Sequence, residues 1–143
     1  MAMATKAVAA TNGRPFVDTN VLLYLLSADA DKAARAEALL AGRIVISVQV
    51  LNEFANVARR KFGLDWVETR QALVDIRRFS DVRDITLQTH ERGLALAERY
   101  GLSLYDAMIA AAALEAGCTT LASEDMQNGQ RLERRITIRN PFV

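Results

Sequence analysis

The strongest constraint in this chain is its rhythm. Short β-branched and apolar runs, too brief to be helices, alternate with stretches long enough for one or two helices. Arg14-Pro15-Phe16-Val17, Ile44-Val45-Ile46, Val82 to Thr86, Cys118 to Ala122 and Ile136-Thr137-Ile138 read as strands. Asp31 to Leu40 reads as a helix ended by Gly42, and VLLYLL after Asn20 as a buried one. Val50, Phe54, Val57 and Phe62 recur at helical spacing up to Gly63, Asp65 opens a helix to about Phe79, Leu87 to Tyr100 stops at Gly101, and Ser103 to Ala116 stops at Gly117. Consecutive parallel strands need a crossover, usually helical, so the expected fold class is α/β with a mostly parallel sheet covered on both faces. In such folds ligands bind beyond the carboxyl ends of the strands.

Length and composition narrow the field further. A chain of 143 residues has room for one core, with residues 14–143 as a single domain and residues 1–13 as a flexible extension. The longest apolar run, Ala107 to Leu114, is far short of the roughly 20 residues a bilayer span needs. Cys118 stands alone, so no internal disulfide points to secretion, and the N-terminus lacks the apolar run of a signal peptide. The expected compartment is the cytoplasm. A net charge of +1 announces no polycation. One histidine, His90, excludes a two-histidine ribonuclease mechanism and a zinc site of several His and Cys ligands. His90 sits in an amphipathic helical pattern and reads as a solvated side chain.

Attention therefore falls on carboxylates. Asp18 ends the first strand, Glu53 lies in the helix after the second, Asp106 in the first turn of the helix opened at Ser103, and Asp125 follows the fourth strand. With 17 acids in the chain, placement alone is only suggestive. Each acid also has a structural role open to it. Asp18, Thr19 or Asn20 would cap the next helix, Ser103-x-x-Asp106 fits a capping box, Glu53 would sit on a solvated face, and Asp125 would cap a turn. Asp106 resists this reading best, because the helix it opens is apolar all round and so buried. A carboxylate at its mouth, clustered with others, suits a hard divalent cation with oxygen ligands.

Phe16-Val17-Asp18-Thr19-Asn20, Val50-Leu51-Asn52-Glu53-Phe54, Leu104-Tyr105-Asp106-Ala107-Met108-Ile109-Ala110 and Leu121-Ala122-Ser123-Glu124-Asp125 stand in order across about residues 15–140. This series resembles the four motifs of PIN domains. The resemblance implies a PIN-like (Rossmann-like) α/β/α sandwich with a five-stranded sheet in the order 3-2-1-4-5. It implies a metal-dependent endoribonuclease, and among small single-domain members a VapC-like toxin of a toxin–antitoxin pair. By the same resemblance Asp18, Glu53, Asp106 and Asp125 would hold Mg²⁺ or Mn²⁺, and Thr19, Asn20 and Ser123 would orient them. Cleavage would leave a 5′-phosphate and a 3′-hydroxyl. Either Glu124 or Asp125 could face the metal; the hydroxyl-x-acid pattern favours Asp125. The resemblance further implies an RNA substrate, with tRNA among the candidates, a VapB-type antitoxin seated near residues 48–79, and a homodimer.

Arg59-Arg60-Lys61 and the group Arg131, Arg134, Arg135 and Arg139 offer phosphate contacts, although cations at helix ends also serve the helix dipole. Trp66 would stack on a base or pack against Phe62. The rival readings fit less well. A receiver-like phosphoacceptor domain wants a paired acid after the first strand and a late lysine, and no lysine follows Lys61. A haloacid-dehalogenase-like phosphatase wants a second acid where Asn20 stands, and no P-loop is present. A catalytically silent binding module of the same fold is the remaining alternative.

Overall fold

The computed structural model describes residue 11 and residues 13–143. The expected extension over 1–13 therefore falls mostly outside the described residues. Strand β1 (Phe16–Val17) leads into α1 (Thr19–Leu22) and a 3-10 turn (Leu23–Leu26). There follow α2 (Ala30–Ala41), β2 (Ile44–Ser47), α3 (Val48–Arg60), α4 (Trp66–Arg78), β3 (Ser80–Arg83), α5 (Leu87–Tyr100) and α6 (Leu104–Glu115). The chain ends with β4 (Thr120–Ala122), β5 (Arg131–Leu132) and β6 (Ile136–Arg139).

The sheet order is β3-β2-β1-β4-β6-β5. The first five strands in that row are mutually parallel, in the order expected of five strands, with β6 as the fifth. The addition is β5, which pairs antiparallel with β6 at the edge. Two residues, one of them charged, give no readable alternation, so β5 exists only because a turn at Glu133 and Arg134 folds it back. Strand β3 begins two residues before the expected Val82. It is half-buried throughout, and its position is set by pairing with β2, Ile44 opposite Ser80 and Ser47 opposite Arg83. VLLYLL was expected as one helix. Only its first turn is α-helical, and Leu23 to Leu26 tighten into the 3-10 turn.

β1 and the first three residues of β2 are entirely buried, as strands covered on both faces must be. Helix α3 turns Val50, Phe54 and Ala58 inward at i, i+4 and i+8. Helix α6 is buried along its whole middle, from Ala107 to Leu114, between α5 and the sheet. Four alanines in its centre keep that layer thin, and Gly93 of α5 does the same on the other side. A Cβ at Gly93 would lie 2.5 Å from Met108 Sδ. Gly101 closes α5 at φ 68, a left-handed position that suits glycine. Among the described residues no helix is long and apolar enough to cross a membrane.

The small side chains of α6 generate a prediction. Ala110→Leu adds bulk at a fully buried position and should destabilise the protein by about 1–3 kcal/mol. Urea denaturation would read this as a lower midpoint. An unchanged midpoint would mean that the α6 layer is not tightly packed.

Candidate active site

Four elements deliver one acid each to a shared cleft. Asp18 leaves the end of β1 and caps α1, its Oδ1 accepting from the Thr19 N–H at 2.7 Å. Its other oxygen accepts from the Ser123 hydroxyl at 2.8 Å and the Asn20 amide at 3.1 Å. The Asp18 N–H donates to the Ala122 carbonyl, which ties this corner to β4. Asp18 thus fills the structural role open to it and still faces the cleft, because a carboxylate has lone pairs to spare. The Asn20 carbonyl oxygen in turn accepts from the Glu124 N–H at 3.0 Å.

Glu53 stands on α3, where its Oε1 accepts from the Thr19 hydroxyl at 2.7 Å and its Oε2 from Gln49 at 3.4 Å. Asp106 occupies the first turn of α6. Ser103 caps that helix by accepting from the Asp106 N–H at 3.2 Å. The reciprocal bond of a capping box, from the Ser103 N–H to the Asp106 carboxylate, is not formed, so the carboxylate is left to the cleft.

The loop after β4 separates its two acids. Glu124 is held by the Tyr24 hydroxyl at 2.6 Å and by Lys32 Nζ at 2.7 Å. Lys32 also lies 4.7 Å from the Tyr24 ring centre and 5.3 Å from that of Phe142. Among the described residues Asp125 has no such partner, and it lines the cleft with Asp18, Glu53 and Asp106. The cleft measures about 320 Å³. Among the described residues, none of these four carboxylates forms an ion pair.

Burial and crowding set the electrostatics. Asp18 is 5% exposed, and its pKa is pushed up to about 6, first by burial. The bonds from Ser123 and Thr19 oppose that rise, and the charges of Asp106 and Glu53 add to it. Asp106 is also raised, first by burial, with Asp125 adding repulsion and the Ser103 hydroxyl opposing. Among the described residues no three acids, cysteines or histidines already converge on one point as a metal-ligand cluster. The donor set nevertheless suits a hard divalent cation: four carboxylates, all oxygen, against the single guanidinium of Arg60 in the cleft lining.

Sequence reasoning gave no role to two residues that line the cleft, Asn56 and Tyr105, and offered Arg60 only as one of the three cations Arg59-Arg60-Lys61. The signal was present in α3. Asn56 and Arg60 follow Glu53 by three and seven residues, which places them on one helix face. Arg59, by contrast, turns away to the Leu64 carbonyl at 2.9 Å and lies 4.1 Å from the centre of the Trp66 ring. Trp66 is otherwise 61% exposed. His90 is exposed, and none of the C-terminal arginines is among the residues lining the cleft.

The PIN domain model matches residues 16–128, a segment that contains all four acids. No curated protein sequence matches the chain. Several solved structures share the fold, among them three from toxin–antitoxin systems. A toxin–antitoxin complex from Klebsiella pneumoniae superposes with a TM-score of 0.67 at 24% identity, over 89% of this chain and 97% of that one. VapBC2 from Rickettsia felis, bound to a DNA fragment from its promoter, gives 0.64 at 18% identity over 87% and 96%. VapC20 of Mycobacterium tuberculosis, a toxin that cleaves the sarcin–ricin loop, gives 0.60 at 21% identity over 77% and 88%. With the family model spanning most of its length, and this architecture around it, the chain belongs to the PIN domain family.

Proposed function

We propose that the chain is a metal-dependent endoribonuclease and the toxin of a toxin–antitoxin pair. The observation that carries this reading is the convergence of Asp18, Glu53, Asp106 and Asp125 on one cleft, where among the described residues none of them is held in an ion pair. These residues would hold one or two Mg²⁺ or Mn²⁺ ions, which supply Lewis-acid polarisation of a phosphodiester and lower the pKa of water. Ser123 and Asn20 hold Asp18 in place, and Thr19 holds Glu53. Arg60 lines the same cleft, on the helix that carries Glu53, and would meet the phosphate backbone of the RNA. Tyr105 is 68% exposed beside Asp106 and offers a face on which a base can stack.

The fold shared with toxin–antitoxin complexes supports two partners. The groove beside Asp125, lined by Leu23, Tyr24, Val57 and Phe62, would take an apolar segment of a VapB-type antitoxin. A basic side chain of that partner could then reach the acids. Val48, Ile85 and Tyr105 line a second groove that adjoins Glu53, and this face would meet the second copy of a homodimer. The cytoplasm, where RNA is at hand, is the proposed compartment.

Cleavage of RNA by the purified chain, with Mn²⁺, with Mg²⁺ and with chelator, tests the reading. Asp106→Asn should lower the metal-dependent rate by at least about 100-fold, since losing even an outer partner of a metal ligand costs about 10–100-fold. Equal cleavage by both proteins would refute the site. Folded, metal-loaded protein that cleaves no RNA would favour the silent binding module. In the same assay Asp125→Asn should cost far more than Glu124→Gln, because Glu124 is bound to Lys32 and Tyr24 rather than facing the cleft. The reverse order would assign the fourth acid to Glu124.

Asp18 yields a prediction that needs no activity. Its folded pKa of about 6 lies above the ordinary 3.8. Its contribution to stability is therefore fully present below about pH 4, declines as pH rises, and is lost above about pH 6. The difference is on the order of 3 kcal/mol. With chelator present, Asp18→Asn should melt higher than wild type at pH 7.5 and at a similar temperature near pH 4. Mn²⁺ should raise the wild-type Tm more than that of the variant. A variant no more stable than wild type at pH 7.5 would show that Asp18 is not a buried charge.

A further inference from the structure

A second cleft, about 330 Å³ in volume, lies between α5, the end of α6 and the β5–β6 turn. It shares no lining residue with the acid cleft. Leu114 on its wall and Asp106 belong to the same helix, about 12 Å apart along the axis. The lining is of the opposite sign: three guanidinium groups, Arg92, Arg99 and Arg135, against one carboxylate, Glu133, with Leu96 and Leu114 as apolar walls.

The charges do not cancel. Glu133 is committed to Arg99, whose Nη1 donates to it at 2.7 Å, and to the Tyr100 hydroxyl, also at 2.7 Å. Among the described residues Arg135 donates only to the Leu114 carbonyl, at 3.4 Å, and its charge acts on Glu133 more weakly than that of Arg99. Among the described residues Arg92 forms no hydrogen bond or ion pair. Two positive charges are left over.

The turn that presents Glu133 and Arg135 is itself unusual. The Arg135 N–H closes it onto the Leu132 carbonyl at 3.0 Å. Both central residues, Glu133 at φ 52 and Arg134 at φ 56, are left-handed without being glycine or asparagine. The Tyr100 hydroxyl holds this conformation, accepting from the Glu133 N–H at 2.9 Å while it donates to the Glu133 carboxylate. The hairpin also lies beyond residue 128, where the family match ends. It is thus a costly local structure, pinned so that its side chains meet α5.

We propose that this cleft binds the terminal phosphate of a nucleotide, with Arg92 and Arg135 pairing with the phosphate and Leu96 and Leu114 against the sugar or base. The charge selects this class. A phosphomonoester carries about −1.5 to −2 at pH 7 and matches the excess of two guanidiniums over carboxylates in the lining, whereas a phosphodiester carries only one negative charge. The volume lies at the small end of ligand sites, of mononucleotide size. The phosphate would belong either to a free mononucleotide or to the 5′ end of an RNA. The inference does not rest on the acid cleft.

Calorimetric titration of the full chain with AMP and with adenosine, in chelator, tests it. AMP should bind and adenosine should bind far more weakly. Arg92→Gln and Arg135→Gln should each weaken AMP by about tenfold, the worth of one charge-assisted contact, while Asp106→Asn leaves it unchanged. Arg92 stands on α5 apart from the turn, so its variant decides the matter if Arg135→Gln disturbs the hairpin. No AMP binding, binding indifferent to both arginines, or binding lost in Asp106→Asn would each overturn the proposal. A second arm compares one oligoribonucleotide with a 5′-phosphate or a 5′-hydroxyl. A preference for the phosphate that disappears in Arg92→Gln names the RNA end as the ligand. AMP binding without that preference names the free nucleotide.

Discussion

A charge at the end of β1 is the point on which the site depends. Asp18 sits where the sheet, α1 and the loop after β4 meet, and water has almost no access to it. Burying a carboxylate is costly unless donors satisfy it. The chain supplies three: the Thr19 N–H, the Ser123 hydroxyl and the Asn20 amide. The first and third are local, but the Ser123 hydroxyl comes from the loop after β4, so the buried acid and the register of β1 against β4 support one another.

The other acids follow from layer geometry. Parallel strands all finish on the same side, and each chain segment leaving that side starts a helix or a loop. Asp106 rides on α6, which is positioned by an apolar surface that faces α5 and the sheet at once. Glu53 rides on α3, whose inward stripe of Val50, Phe54 and Ala58 fixes its rotation. Packing of apolar groups thus brings like charges together against their own repulsion. The raised pKa values of Asp18 and Asp106 record the cost of that burial and crowding.

Several parts of this arrangement are legible in the residues. The Ala107–Leu114 run reads as a buried helix because nothing on any face suits water, and it is buried throughout. Gly101 and Ser103 mark where α5 ends and α6 begins, for reasons of backbone freedom and capping. Other parts leave no local trace. β5 is made by a turn rather than by its own composition, and β3 takes its register from β2. Arg60 is indistinguishable in sequence from Arg59 beside it, yet a helix sends neighbours about 100° apart, one to the acids and one to Trp66.

What the sequence by itself determined is the alternation of strands and helices, the buried character of α6, and the set of acids at strand and helix boundaries. These depend on hydrophobic period, caps and turns, which act over a few residues. Only the tertiary structure decided which acid of the pair Glu124 and Asp125 enters the cleft, because the choice is made by Tyr24 and Lys32, about a hundred residues away. Likewise only the tertiary structure set Arg92 and Arg99 of one helix beside Arg135 of a hairpin. Contacts between distant segments are fixed by how the layers pack, and no local pattern in the chain encodes them.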